Sequence, residues 1–114
     1  MGTSVSGADE NIAFLQNVAD GGDWGDIPFK QQQQLMSAPA DFIAHVYGLT
    51  GLCYGVSTAC TSGARALISA ARLLNSQMCD AVVCGGVDTL SPLTINGFES
   101  LEVLSAGLAQ PFSA

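Results

Sequence analysis

Charged side chains make up only 11% of this 114-residue sequence, and that scarcity constrains what the chain can fold into more than any other feature. An average soluble domain carries roughly 25% Asp, Glu, Lys and Arg, so this chain has less than half the charge that an independent surface uses. With 48% apolar residues and positive mean hydropathy, it must present faces that other polypeptide covers. The length suits one domain, yet a stand-alone monomer is not expected, and the sequence reads as a piece of something larger.

The charges that exist are unbalanced, 3 basic against 10 acidic, for a net −7. Lys30, Arg65 and Arg72 cannot form the electrostatic footprint of a nucleic-acid binder or the polybasic segment that holds a protein on anionic lipid. Gly, Ser, Arg or Asp interrupts every apolar run well short of the ~18 residues of a membrane span, and no basic and apolar leader follows Met1. Neither nucleic acid nor a membrane is expected as a partner. Cys53, Cys60, Cys79 and Cys84 are 7, 19 and 5 residues apart, which gives no Cys-x-x-Cys pair and no zinc-ligand spacing with His45. No metal site is expected. Four free thiols are expected instead, in a reducing, cytoplasmic compartment.

Gly and Pro divide the chain into alternating helical and strand-like stretches. Ile12, Leu15 and Val18 keep helical spacing over residues 9–19, with Gly21 and Gly22 as a stop. Residues 20–29 read as a loop, and Gln31 to Gln34 as loop or one helical turn. Pro39 near the start and Gly48 past the end predict a helix over 37–47. Alternation of Tyr54, Val56 and Thr58 with small residues predicts a strand over 53–58. From Cys60 or Thr61 to Leu74 the sequence is helical and apolar nearly all round, as in a helix buried between layers. Ala81 to Cys84, ended by Gly85 and Gly86, reads as a buried parallel strand. Together these make a strand, helix, strand unit. Ser91 and Pro92 then open a helix through Phe98 and Leu101 that can extend to Leu104, and residues 105–114 read as a loop.

Cys60 sits where the expected strand turns into the expected helix. A thiol there lies by unpaired first-turn N–H groups and the positive end of the helix dipole, which stabilise a thiolate, the nucleophilic form. The same corner puts the Cys60 backbone N–H beside any oxyanion formed on a bound carbonyl. Structural roles compete with this reading, because most cysteines are small buried hydrophobes. Cys53 and Cys84 are expected in the core and Cys79 partly exposed. His45, between Ala44 and Val46, reads as structural rather than as a base for Cys60. Residues 84–88, Cys-Gly-Gly-Val-Asp, lack the spacing of a phosphate loop.

The segment Gly55-Val56-Ser57-Thr58-Ala59-Cys60-Thr61-Ser62-Gly63-Ala64 closely resembles the active-site segment of the β-ketoacyl acyl-carrier-protein synthases, condensing enzymes of the thiolase superfamily. Four further stretches resemble family motifs in the same order. They are Gly2-Thr3-Ser4 with Ser6-Gly7, then Tyr47-Gly48-Leu49-Thr50-Gly51, then Asp80 to Asp88, and finally Phe98 to Ser105 with Gln110-Pro111-Phe112.

The resemblance implies an α/β fold, part of the five-layer α-β-α-β-α thiolase-like architecture, with residues 1–114 as one incomplete N-terminal domain. It implies that Cys60 accepts an acyl group from acyl carrier protein and that its N–H serves the oxyanion hole. A malonyl unit on carrier protein then loses carbon dioxide and attacks that acyl group, giving a 3-oxoacyl product in fatty acid, polyketide or polyene synthesis. No cofactor is implied. The family's decarboxylation uses two histidines and a lysine from the C-terminal half, and His45 matches neither histidine, so these 114 residues alone are not expected to complete the condensation. A dimer is also implied, with itself or with a related synthase, pairing through the strand at about 53–58.

Two departures qualify the resemblance. Gln110-Pro111-Phe112-Ser113 stands where the family has Arg-Pro-Phe-Asp, which points to a divergent branch. Before Pro39, where relatives carry basic residues for carrier docking, only Lys30 stands among Asp20, Asp23 and Asp26. The alternatives are a thiolase-like acyltransferase that uses Cys60 without decarboxylation, and a non-catalytic remnant or partner subunit. The presence of Cys60 argues against the last, because chain-length partner subunits generally lack the nucleophile.

Overall fold

A computed structural model describes residues 1–110. Its elements in chain order are a 3-10 turn at Ala8–Asn11 and five helices, α1 (Ile12–Ala19), α2 (Gln31–Gln34), α3 (Ala38–Tyr47), α4 (Ser62–Asn75) and α5 (Pro92–Ser100). The punctuation read from the sequence holds. Gly21 has φ +85 at the end of α1, and Gly22 N–H donates to Asn17 O at 2.9 Å. Gly48 closes α3 in the left-handed region, with φ 62 and ψ 34, where a Cβ is unfavourable. Ser91 caps α5, its side chain accepting from the Thr94 N–H at 2.9 Å. Part of the motif at 110–113 and the last part of the expected loop lie outside the described residues.

Two expected strands do not form as strands. Among the described residues the pairing consists of isolated bridges, of which two parallel ones join Gly2 to Val56 and to Gly86. Thr3 N–H donates to Val56 O at 3.1 Å and Val56 N–H to Met1 O at 2.8 Å, while on the other side Gly2 N–H donates to Gly85 O at 2.7 Å and Val87 N–H to Gly2 O at 2.9 Å. The spatial order is therefore 54–56, then 1–3, then 85–87, all parallel. A strand is a ladder property, and the middle segment offers only Met1 to Thr3 as partners. Ala81 to Cys84 form no strand and no bridge, and among the described residues the α/β character expected from the sequence is reduced to helices and a three-segment layer.

The chain is a slab of 54 × 42 × 20 Å, about as thick as one helix of ~10–12 Å on one extended layer. Its radius of gyration is 17.3 Å, against ~13 Å for a compact domain of this length. Its surface of 8488 Å² exceeds the ~5900 Å² of a compact monomer of 11.7 kDa. Among the described residues the buried apolar side chains are Phe14, Ala40, Ala66 and Ala70. Phe14 stacks against Trp24 and Phe29 at centroid distances of 5.3 and 5.1 Å.

Helix α4 corrects the expectation of burial on every side. Ala66 and Ala70, one turn apart, are buried, but Leu67 and Ile68 are 58% and 51% exposed. Only one apolar face meets another layer of the described chain, and nothing in it covers the opposite face. Cys53, expected in the core, is exposed for the same reason, and Cys84 is only half-buried; Cys79 is partly exposed as expected.

Candidate active site

Helix α4 begins at Ser62 with Thr61 as its N-cap, so Cys60 stands just before the helix, on a turn. Hydroxyls build that turn. Thr61 N–H donates to Thr58 O at 3.2 Å, and the Thr61 hydroxyl reaches the same oxygen at 2.8 Å. The Ser62 hydroxyl, buried beneath, accepts from the Thr58 N–H at 2.9 Å and donates to Ala59 O at 2.6 Å. Ala59 is held at φ +50, the left-handed region that costs a residue with a Cβ roughly 1 kcal/mol. These bonds hold the reversal closed, and Cys60 is left exposed at its apex. Among the described residues its backbone N–H has no protein acceptor.

Three glycines carry the turn from below. A Cβ on Gly2 would collide with Ser62 O and stand 2.8 Å from Gly63 N, and one on Gly86 would stand 3.3 Å from Gly63 Cα. Contacts shorter than about 3.5 Å have no room for a methyl group. Backbone therefore packs on backbone here, with the central extended segment pressed directly against the first turn of α4.

Sequence reasoning named Gly2-Thr3-Ser4 and Asp88 separately and missed what joins them. The Asp88 Oδ1 accepts from the Thr3 hydroxyl at 2.7 Å, from Ser4 N–H at 2.7 Å and from Val5 N–H at 3.0 Å, while Oδ2 accepts from the Ser4 hydroxyl at 2.8 Å. Thr3 Oγ1 in turn accepts from Ser6 N–H at 2.9 Å. Partial burial pushes the Asp88 carboxyl up, but bonds from the Thr3 hydroxyl, the Val5 and Ser4 amides and the Ser4 hydroxyl outweigh it and hold the group at about 2, against an ordinary 3.8. The available signal was a Thr-Ser pair able to wrap a carboxylate, but pairing across 84 residues has no local signature.

Cys60 opens on a cleft of about 610 Å³ whose walls include Gly2, Ser4, Gly63, Gly86, Asp88, Thr94 and Phe98. His45 is not among them. A second concavity, about 290 Å³ and largely apolar, lies between α3, α4 and residues 79–84, and Cys53, Cys79 and Cys84 line it. Burial, together with a hydrogen bond to Asp41 Oδ1 at 3.5 Å and that residue's charge, pushes the Cys53 thiol up. The geometry thus separates one thiol on a strained apex from three on an apolar groove. No cluster of three or more His, Cys, Asp or Glu able to hold a metal ion occurs among the described residues, and no helix there is long and apolar enough to cross a membrane.

Residues 1–114 match the family described as Beta-ketoacyl synthase, N-terminal domain. The chain belongs to the β-ketoacyl synthase family. Its place in that family implies the thiolase-like fold. The chain is 34% identical over 89 residues to "Nodulation protein E" of Rhizobium leguminosarum bv. trifolii, covering 75% of this chain and 22% of the relative. It is 31% identical over 88 residues to the 3-oxoacyl-(acyl-carrier-protein) synthase 2 of Coxiella burnetii, covering 76% and 21%. A "Non-reducing polyketide synthase" of Aspergillus terreus is 36% identical over 74 residues, covering 61% of this chain and 3% of the relative. The chain spans about a fifth of the length of the first two relatives.

Proposed function

We propose that this β-ketoacyl synthase chain carries the acyl-loading half of a decarboxylative condensation, in fatty acid or polyketide synthesis, with Cys60 as the nucleophile. The observation that carries the reading is the turn at 58–62, which exposes Cys60 at its apex beside a cleft and leaves its N–H without a protein acceptor. In the loading step the Cys60 sulfur attacks the carbonyl carbon of an acyl thioester on acyl carrier protein. A sulfur–carbon bond forms to Cys60, the bond to the carrier's sulfur breaks, and the Cys60 proton passes to the departing thiol. In this reading the Cys60 N–H serves as one donor to the oxyanion of the intermediate. In the second half, malonyl thioester loses carbon dioxide, its carbanion carbon bonds to the acyl carbon, and the Cys60 thiolate leaves.

The second half needs groups that hold the malonyl oxygen, and His45 on α3 lies outside the Cys60 cleft, so other residues of the fold supply them. The reading includes the five-layer α-β-α-β-α stacking, in which α4 is central. It also includes a dimer, of one synthase or two related ones, formed along residues 53–58. Gly55 and Ser57 make no backbone hydrogen bond among the described residues, which leaves one edge of that segment open to pairing. Free thiols such as the four here persist in a reducing compartment, the cytoplasm in this reading.

The test is intact mass after incubation of the full-length protein with an acyl thioester. Wild type is expected to gain one acyl group on the peptide containing Cys60, and Cys60→Ala to gain none there. Acylation of Cys60→Ala at the wild-type rate would overturn the assignment. Product formation that requires a malonyl donor separates a condensing synthase from a thiolase-like acyltransferase.

A further inference from the structure

We propose that Asp88 is a positioning residue for Cys60, because its carboxylate clasps residues 3–5 and so holds Gly2 against Ser62 and Gly63, the ground on which the Cys60 turn stands. The inference rests on the acyl-loading reading above and assigns a role to a residue outside the Cys60 turn itself.

The mechanical chain is short and every link is a contact. Four hydrogen bonds of 2.7 to 3.0 Å tie Asp88 to Thr3, Ser4 and Val5. The same stretch is tied on both sides, by Gly2 N–H to Gly85 O and by Thr3 N–H to Val56 O. Gly2 presses on Ser62 and Gly63 with no room for a Cβ, Gly86 packs closely on Gly63, and Ser62 closes the turn through Thr58 and Ala59. Thr89 adds a parallel tie, its hydroxyl donating to Ser6 O at 3.1 Å. Packed backbone transmits displacement because it has no compressible side chain between its parts. A carboxylate takes all four bonds as charge-assisted ones, whereas in a carboxamide the oxygen accepts without charge from Thr3 and the two amides and the Ser4 hydroxyl must turn round to accept from the NH₂, so each bond is weaker. Replacing Asp88 by Asn therefore loosens residues 3–5 without changing side-chain size, and a reacting atom displaced by about 1 Å costs up to 10²-fold in rate.

The experiment uses the full-length protein and hexanoyl-N-acetylcysteamine as acyl donor. The fraction of accessible Cys60 is first titrated with iodoacetamide by peptide mapping, and acylation is then expressed per titrated Cys60. Asp88→Asn is expected to lower that per-site rate constant by about 10- to 100-fold, with iodoacetamide reactivity within threefold of wild type. Thr3→Val, which deletes one of the four bonds, shifts the rate the same way by a smaller factor, and Thr3→Ser, which keeps the hydroxyl, restores it. A merely structural Asp88 would instead lower the folded fraction, read by circular dichroism, in the same proportion as the rate, and that result overturns the proposal, as does a Thr3→Val protein that acylates like wild type. Wild type that takes no acyl group at Cys60 overturns the function on which the role rests; an acylated wild type with an equally fast Asp88→Asn overturns the positioning alone.

Discussion

At the scale of single residues, the work around Cys60 falls to hydroxyls and one carboxylate. Thr58, Thr61 and Ser62 stand in the sequence as an ordinary polar run, and their bonds to Thr58, Ala59 and each other are what hold Ala59 at positive φ. Cys60 stood out in the sequence because a thiol between an expected strand and an expected helix has a physical reason to react, and its acyl-loading role is the proposal made above. The Asp88 clasp was not legible, because its donors lie 83 to 85 residues away. The clasp has a pH signature. A carboxyl held at about 2 when folded and at an ordinary 3.8 when free contributes stability above about pH 4 that is lost as pH falls through 2. The urea midpoint of wild type should therefore exceed that of Asp88→Asn at pH 5, with the gap closing between pH 4 and pH 2. Because Asp88 is exposed, the gap should also shrink with added salt.

At the scale of elements, caps were the most readable feature. Pro39, Gly48, Ser91 and Pro92 mark where α3 and α5 begin and end, and each is a local backbone requirement that the residue type meets by itself. Ser91 is nearly fully buried and its Oγ accepts from Thr94 N–H, with the Thr94 hydroxyl 3.0 Å away. Ser91→Ala should destabilise the fold by about 1 kcal/mol, measured as a shift of the denaturant midpoint at constant slope, with Ser91→Asp losing less. Strands were less readable than helices. The alternation at 53–58 does mark a segment that pairs, at Val56, but pairing belongs to two segments at once, and the partner at 1–3 has no strand pattern of its own.

At the scale of the whole molecule, the low charge and the bare faces describe one fact. Leu67 and Ile68 on α4, Leu93 and Ile95 on α5, and Leu90, 94% exposed between the cleft and α5, are apolar side chains with water for a neighbour. At roughly 25 cal/mol per Å², even part of the excess surface of this slab is a large drive toward association. The 114 residues produced by themselves should sediment as oligomers or aggregates and bind a hydrophobic dye. A monodisperse monomer by light scattering at 50 µM would contradict this.

The sequence by itself determined the helix boundaries, the thiol with a reason to react, the family resemblance and the need for covered faces, because each depends on local backbone chemistry or on summed composition. The tertiary structure alone decided which glycines touch, that Met1 to Thr3 run between 54–56 and 85–87, and that Asp88 binds the segment lying against the Cys60 turn. Those outcomes depend on which distant segments share space, and no spacing along a chain encodes that until the chain has folded.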